Sequence, residues 1–517
     1  IGSLRIILRI TNKIILFATF LGLAFSADQP KSLKATKTWV DKKGPIIIKD
    51  FVKLLSVPNV ASDKVSIRKN AEYISSLFEK RNFEMQLLEL DGANPIIFGE
   101  LKTPGAKRTL CFYVHYDGQP VNESKWTHGP FEPILYDGPI DDGGKPIAIP
   151  KNRNNIDPEW RLYARSAGDD KAPIITILNA IDALQSSKIG ITSNIKLFFE
   201  GEEEAGSTNL KAHLSKHRDL LDDIDIWLFC DGPMHQSRQP QLVFGVRGVT
   251  GMEITVYGAT RSLHSGHYGN WAPVPGQSIS ELISSMKDVN GNVLVSGFYD
   301  TVEPLSEFER LELSKIPDVD EQLKKELGLV YTEGEGRSIN ERLLLPSLTI
   351  KGLSSGNVGK KARNVIPNSA TAAIGVRLVK GNDPEDMLDK IEAHIKSQGF
   401  HIVYNAPDLD TRQNYPKIVK VDRSRSGYIA SRTSMEDPNA KSIINAVKEY
   451  VGDDLILMPS LGGSLPLYLF TDYLKKPAII VPIANHDNNQ HAPNENLRIA
   501  NLWYGIDLMG VIMTMPN

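Results

Sequence analysis

The stretch TLCFYVHYDG, residues 109–118, is an unbroken apolar run that ends abruptly in polar, ionisable side chains. Leu110 to Val114 reads as a buried strand, because a short continuous apolar run bounded by turn residues suits a strand covered on both faces. That run delivers His115 and Asp117 at i and i+2, and alternation along a strand turns both side chains to one side. Asp117 is thereby expected to hold the second imidazole nitrogen of His115 and fix its tautomer. Taken alone, a His-x-Asp at a strand end is more often a satisfied histidine than a ligand.

Four further segments change that reading. GDDK at Gly168–Lys171, EGEEEAGS at Glu200–Ser207, Asp231 in LFCDG and His491 in QHAPNE follow in order along the chain. Three of the five polar segments sit at or just beyond the ends of apolar runs: Leu110 to Val114, Ile195 to Phe199 and Ile226 to Phe229. Ala478 to Ile483 reads as another buried strand upstream of His491, and Ile174 to Gln185 and Ala440 to Tyr450 read as helices. Strand-end functional groups joined by helices describe an open α/β sheet, flanked by helices, with its site at the carboxyl edge. A pair of divalent ions about 3.5 Å apart needs oxygen ligands, imidazole and one shared carboxylate, and these segments supply that donor set. Glu203 and Glu204 lie at a strand-end turn where neighbouring side chains can converge, so one can ligate while the other serves as a base. Glu202 and Asp170 are read as supporting carboxylates, and Lys171 as half of a structural ion pair.

On these motifs the chain resembles the aminoacylase/carnosinase-type family of co-catalytic zinc peptidases, and within it the longer carnosinase-like dipeptidase branch, over nearly everything after residue 36. The resemblance implies that His115 and Asp231 bind one ion, Glu204 and His491 the other, and Asp169 bridges them, with Glu203 as general base. It implies a cis peptide between Asp169 and Asp170. It names zinc as the metal, with manganese or cobalt as substitutes. His264 in LHSGHYGN is similar to a lid histidine that reaches the partner subunit's active site and steadies the tetrahedral intermediate. Asn364 in RNVIP and Arg377 in GVRLV match positions for the transition-state oxygen and the substrate's terminal carboxylate. Ser464 in LGGSLP matches a serine on that same carboxylate. Two departures stand out. Leu461 occupies the place of an acidic residue that assists the substrate's amino end, and Ala164, Ser166 and Ala172 replace glycines around the bridging aspartate.

The central region reads as a second unit, expected over residues 246–405. A strand (Gly251 to Gly258), a helix (Pro275 to Met286), two strands (Ser347 to Lys351, Ala370 to Leu378), a helix (Pro384 to Ser397) and a strand (His401 to Tyr404) follow the ferredoxin-like order. It matches the lid and homodimerisation domain of the resembled family, with Ser306 to Arg337 as a lid excursion. The catalytic domain would then comprise residues 36–245 and 406–517. Asp137 to Asp157, rich in Gly, Pro and Asn, reads as a loop insertion before the Arg161–Tyr163 strand.

The N-terminal segment carries Arg5, Arg9 and Lys13, then an apolar run from Ile14 to Phe25 and small residues. This is the order of a secretory signal, with cleavage expected near Ser26 and a secreted or periplasmic product without stable membrane insertion. The apolar run is short beside the ~20 residues that cross a bilayer. Cys111 and Cys230 fit no zinc-thiolate spacing and are expected to pack as small apolar residues. With Lys+Arg 59 against Asp+Glu 62 and no basic stripe, nothing in the chain attracts nucleic acid. The donor set and the resemblance together imply a two-metal exopeptidase that hydrolyses dipeptides or the carboxyl-terminal residue of short peptides, with an N-acyl-amino-acid deacylase as the alternative and a catalytically dead metal-binding ectodomain as the more distant one.

Overall fold

The computed structural model describes residues 30–516, so the expected signal at residues 1–26 lies outside the described residues. An eight-stranded mixed sheet forms the catalytic body. Its centre is four neighbouring parallel strands, Asn194–Glu200, Thr109–His115, Ile226–Phe229 and Ala478–Ile480. All seven residues of Thr109–His115 are buried, as its continuous apolar run requires. Antiparallel strands Ile96–Leu101 and Glu84–Leu88 extend one side, and Gln241–Val243 and Ile456–Met458 the other.

Helices Lys31–Leu55, Ala172–Ser186, Pro438–Val451 and Ile499–Met513 pack together on one face of the sheet. Ala172–Ser186 and Ile499–Met513 are apolar almost all round, which is what a helix covered on every side requires. An aromatic cluster of Tyr113, Phe198, Trp227, Phe229 and Phe470 fills the other face. Cys111 and Cys230 are buried and unbridged. Among the described residues Lys171 forms no ion pair: its Nζ donates to the carbonyls of Leu54 (3.1 Å) and Val57 (3.0 Å) at the end of helix Lys31–Leu55, where a cation meets unpaired carbonyls.

A smaller four-stranded sheet joins Asn496–Arg498, Arg161–Tyr163, Ile134–Tyr136 and Pro146–Ile147 in that order. The segment read as a loop insertion therefore contributes one of its strands. This sheet seats the chain just before Asn496 against the chain just after Tyr163, with Ala164 N donating to Glu495 O (3.0 Å).

The second unit is a five-stranded sheet, ordered Ser347–Ser354, Ser369–Leu378, Gly248–Tyr257, Ile418–Arg423 and His401–Val403, with helices Pro275–Ser284 and Pro384–Ser397 packed on it. Gly248–Tyr257 lies between Ser369–Leu378 and Ile418–Arg423, the latter beyond the expected limit at residue 405. His401–Val403 is instead a three-residue edge strand running parallel to it. The Ser306–Arg337 excursion holds helices Glu307–Leu313 and Asp320–Leu327, and it reaches the catalytic body, where Phe308 packs against the main core. Among the described residues no helix is long and apolar enough to cross a membrane.

One buried carboxylate in the helical layer gives a stability test. Asp507 is 7% exposed and accepts from Thr36 Oγ1 and from the Tyr450 hydroxyl (3.2 Å). Burial pushes its pKa up to about 6, against these hydrogen bonds. The folded pKa lies above the unfolded value near ~3.9, so the stability this group contributes is whole below that pH and is lost as pH rises through about 6. Asp507→Asn should therefore gain on the parent by roughly 1–3 kcal/mol between pH 4 and pH 7.5. Thermal melts at both pH values check this, and a gap that narrows with rising pH contradicts it.

Candidate active site

The carboxyl edge of the four parallel strands gathers the polar segments. His115 ends its strand fully buried, with Nε2 2.8 Å from Asp169 Oδ1 and 4.0 Å from Asp231 Oδ2. His491 Nε2 lies 3.1 Å from Asp169 Oδ2 and 3.3 Å from Glu204 Oε2. Asp169 thus stands between two imidazoles, one oxygen facing each. Ligand atoms of His115, Asp169 and Glu204 all fall within 4.8 Å of one another. The Asp169–Asp170 peptide is cis.

The role of Asp117 differs from expectation. The closest partner of His115 Nδ1 is the Asp117 carbonyl oxygen (3.1 Å), with the carboxylate farther away at 3.5 Å. The carboxylate instead accepts from the backbone amides of Glu203 (3.1 Å) and Glu204 (3.0 Å). Those are amides of a 3₁₀ turn at Glu203–Ala205 just past the Asn194–Glu200 strand, and an anion there fixes the turn that presents both glutamates. Glu202 points elsewhere: it accepts from Asn94 N (2.6 Å) and Asn209 Nδ2 (2.7 Å) and braces the loop. Asp170 accepts from His115 N (3.3 Å), which makes it a support for the His115 strand end.

Three contributors escaped the sequence reading. Glu495, fully buried, accepts from Gly168 N (3.0 Å) and Asp169 N (2.9 Å) on one oxygen, and from Ser166 N (3.0 Å) and Arg165 Nη1 (2.6 Å) on the other. It shapes the loop that carries Asp169. Gln119 Nε2 donates to Glu204 Oε2 (2.7 Å). Tyr428 lies close to Ser464. A signal existed for Glu495, which stands in the same segment as His491, but a lone glutamate on a loop reads as solvated. His491 itself sits in the left-handed region (φ 63°), which a non-glycine residue rarely adopts away from functional or tightly specified loops.

The electrostatics fit divalent cations. Burial lowers the affinity of His115 for a proton, but hydrogen bonds to Asp117 and Asp169 outweigh it and hold its pKa well above the usual 6.5. Burial raises Glu204 to about 7 and Asp231 to about 6, with Asp169 adding to both, and raises Glu203 as well. Asp169, Asp170, Glu203, Glu204 and Asp231 crowd together with two imidazoles, and Glu204 Oε1 and Asp170 Oδ1 are buried without a hydrogen-bond partner. Such crowding of carboxylates is costly unless positive charge enters. A donor set of imidazole and carboxylate oxygens suits zinc, manganese or cobalt.

Arg377 and Ser464 meet at a second spot, where Arg377 Nη1 donates to Ser464 Oγ (2.6 Å). His264 and Asn364 form a third group on the lid: Ser265 N donates to Asn364 O (3.0 Å), and His264 pairs across strands with Val365. Both are exposed, and neither makes a hydrogen bond or ion pair with the cluster in its own chain.

This chain belongs to peptidase family M20/M25/M40, whose family model matches residues 111–514, and it is accordingly a metallopeptidase. It is 26% identical over 494 residues to the Cys-Gly metallodipeptidase of Schizosaccharomyces pombe, covering 91% of this chain and 95% of that protein. It is 25% identical over 423 residues to the human Beta-Ala-His dipeptidase, covering 80% and 75%. The M20 family metallo-carboxypeptidase of Sulfolobus solfataricus matches its fold with a TM-score of 0.70 at 28% identity, over 91% of this chain and 98% of that one.

Glu495→Gln tests the loop-shaping role. Either placement of the new amide sets an NH2 against N–H donors that the carboxylate accepts. Zinc affinity, measured by chelator competition, should fall about 10- to 100-fold. Unchanged affinity would assign the shaping of this loop to other contacts.

Proposed function

We propose that the protein is an exopeptidase that hydrolyses dipeptides or removes the carboxyl-terminal residue of short peptides. The observation that carries this is the Arg377–Ser464 pair. A guanidinium fork beside a hydroxyl is suited to a carboxylate, and Tyr428, close to Ser464, lies between this pair and the side of the site that holds Glu203. A terminal carboxylate held there sets the adjoining amide bond towards the acidic cluster.

In this reading His115 and Asp231 hold one ion, Glu204 and His491 the other, and Asp169 bridges. When bound, the metals supply Lewis-acid polarisation of the scissile carbonyl and lower the pKa of the attacking water. Glu203 stands beside Glu204 without an assigned ligand role, so it takes the proton from that water and returns it to the leaving amine. His264 and Asn364, exposed and apart from the cluster of their own chain, serve the tetrahedral oxygen across a homodimer formed through the lid. The order of charge and apolar residues at Arg5 to Ser26 supports export to a secreted or periplasmic location.

Leu461 favours a second reading, an N-acyl-amino-acid deacylase. Its side chain lies near Gly232, next to Asp231, so an apolar group borders the place a free substrate amine would occupy. A catalytically dead ectodomain finds no support in the retention of Glu203.

Glu203→Gln should retain both metals yet lose about 10²- to 10⁴-fold in kcat, measured alongside metal content. Near-parental turnover would remove Glu203 from the role of base. A panel of free dipeptides against their N-acetylated forms separates the two readings, with the free dipeptides expected to be the faster substrates.

A further inference from the structure

Beside the carboxylate clamp, the lid excursion folds over a cavity of about 300 Å³. Its walls include Leu323, Leu327, Leu329, Ile339 and Leu343, carried by the helices Asp320–Leu327 and Ile339–Leu343 and the turn between them. Capping holds this lining in place: Ser338 accepts from Glu341 N (3.3 Å) while the Glu341 carboxylate accepts from Ser338 N (2.9 Å), and Asp320 accepts from Ile339 N (3.1 Å).

Three links tie the cavity to the clamp. Ser347, on its wall, is the cross-strand partner of Arg377, so the two side chains share one face of the sheet. Arg247, also on its wall, donates from its backbone to Gly463 O (3.1 Å), the residue before Ser464, and from Nη2 to Ser347 Oγ (3.1 Å). A Leu343 methyl lies 3.0 Å from where a Cβ on Gly462 would stand, so the glycine turn bearing Ser464 and the cavity wall abut closely. Arg247 is 6% exposed and its Nε is buried without a hydrogen-bond partner; charged side chains, among them Lys324, Glu333, Arg337 and Arg342, also border the cavity, around the aliphatic patch of leucines and Ile339.

We infer that this cavity receives the side chain of the substrate's carboxyl-terminal residue and selects large apolar ones, aromatic or long aliphatic. The inference rests on the exopeptidase reading: the carboxylate on Arg377 and Ser464 fixes the terminal Cα beside the opening, and the aliphatic walls favour a side chain that gains by leaving water. Selectivity thereby resides in the lid excursion, an element remote in sequence from every metal ligand.

The test measures kcat/KM of the zinc-loaded enzyme on Ala-Phe, Ala-Leu, Ala-Gly and Ala-Asp. The parent should favour Ala-Phe and Ala-Leu over Ala-Gly by about 10-fold or more. Leu343→Trp, which fills the cavity, should reduce the Phe/Gly ratio by about 10-fold or more. Leu329→Glu, at a half-exposed position that tolerates charge, should reduce it in the same direction and separates the effect from any folding defect of the first variant. Turnover of Ala-Gly with no preference for Phe or Leu, a preference for Ala-Asp, or ratios unchanged in both variants would overturn the pocket while leaving the exopeptidase reading intact. Turnover of none of the four dipeptides, with N-acetyl-phenylalanine cleaved, would overturn the exopeptidase reading and the inference with it.

Discussion

The carboxylate of Glu495 is the constraint on which the site depends. It is fully buried, it faces three backbone amides and one guanidinium, and the amides belong to the loop Ser166–Asp169. That loop must turn sharply enough to set Asp169 between His115 and His491, and an acceptor with two oxygens is what lets the amides of Ser166, Gly168 and Asp169 converge. The small sheet that joins Asn496–Arg498 to Arg161–Tyr163 exists at the right place to bring this acceptor and this loop together. Arg165, paired with Glu495 and stacked over Trp126 at 5.1 Å, neutralises the charge that would otherwise be stranded.

Around that anchor the molecule concentrates negative charge where four parallel strands end. Each strand end contributes little alone; with the loops carrying Asp169 and His491 they gather five carboxylates and two imidazoles, and burial, with repulsion from Asp169 added, raises Glu204 and Asp231 above ordinary carboxylate behaviour. The arrangement resists collapse because the supporting contacts come from outside the cluster: Asp117 fixes the Glu203–Glu204 turn, Gln119 holds Glu204, and Asp170 braces the His115 strand end. Burial and repulsion make the site a receptor for divalent cations, and the family to which the chain belongs uses such a receptor for peptide hydrolysis.

Much of this was legible in the residues because buried parallel strands write themselves as continuous apolar runs. Leu110 to Val114, Ile195 to Phe199 and Ile226 to Phe229 are strands as read, and the polar residues just past them come together. What was not legible depends on pairing at a distance. Nothing local shows that the Asp117 carboxylate serves two amides 86 and 87 residues away more closely than it serves its neighbour His115. Nothing local shows that Glu495 gathers amides more than 320 residues upstream. His401 to Tyr404 closes the ferredoxin-like order in the sequence, yet a further strand, Ile418–Arg423, lies between it and Gly248–Tyr257, because the period of a strand reports burial and not its partner. Lys171 was read as an ion pair, and the end of a helix with unpaired carbonyls fills that role instead.

The central claim is that Asp169 joins two metal sites on one carboxylate. Anomalous diffraction from crystals of the zinc-loaded protein tests it most directly. The account predicts two anomalous peaks about 3.5 Å apart, one beside His115 and Asp231, the other beside Glu204 and His491, with Asp169 reaching both. A single peak, or two peaks of which Asp169 touches only one, would contradict it.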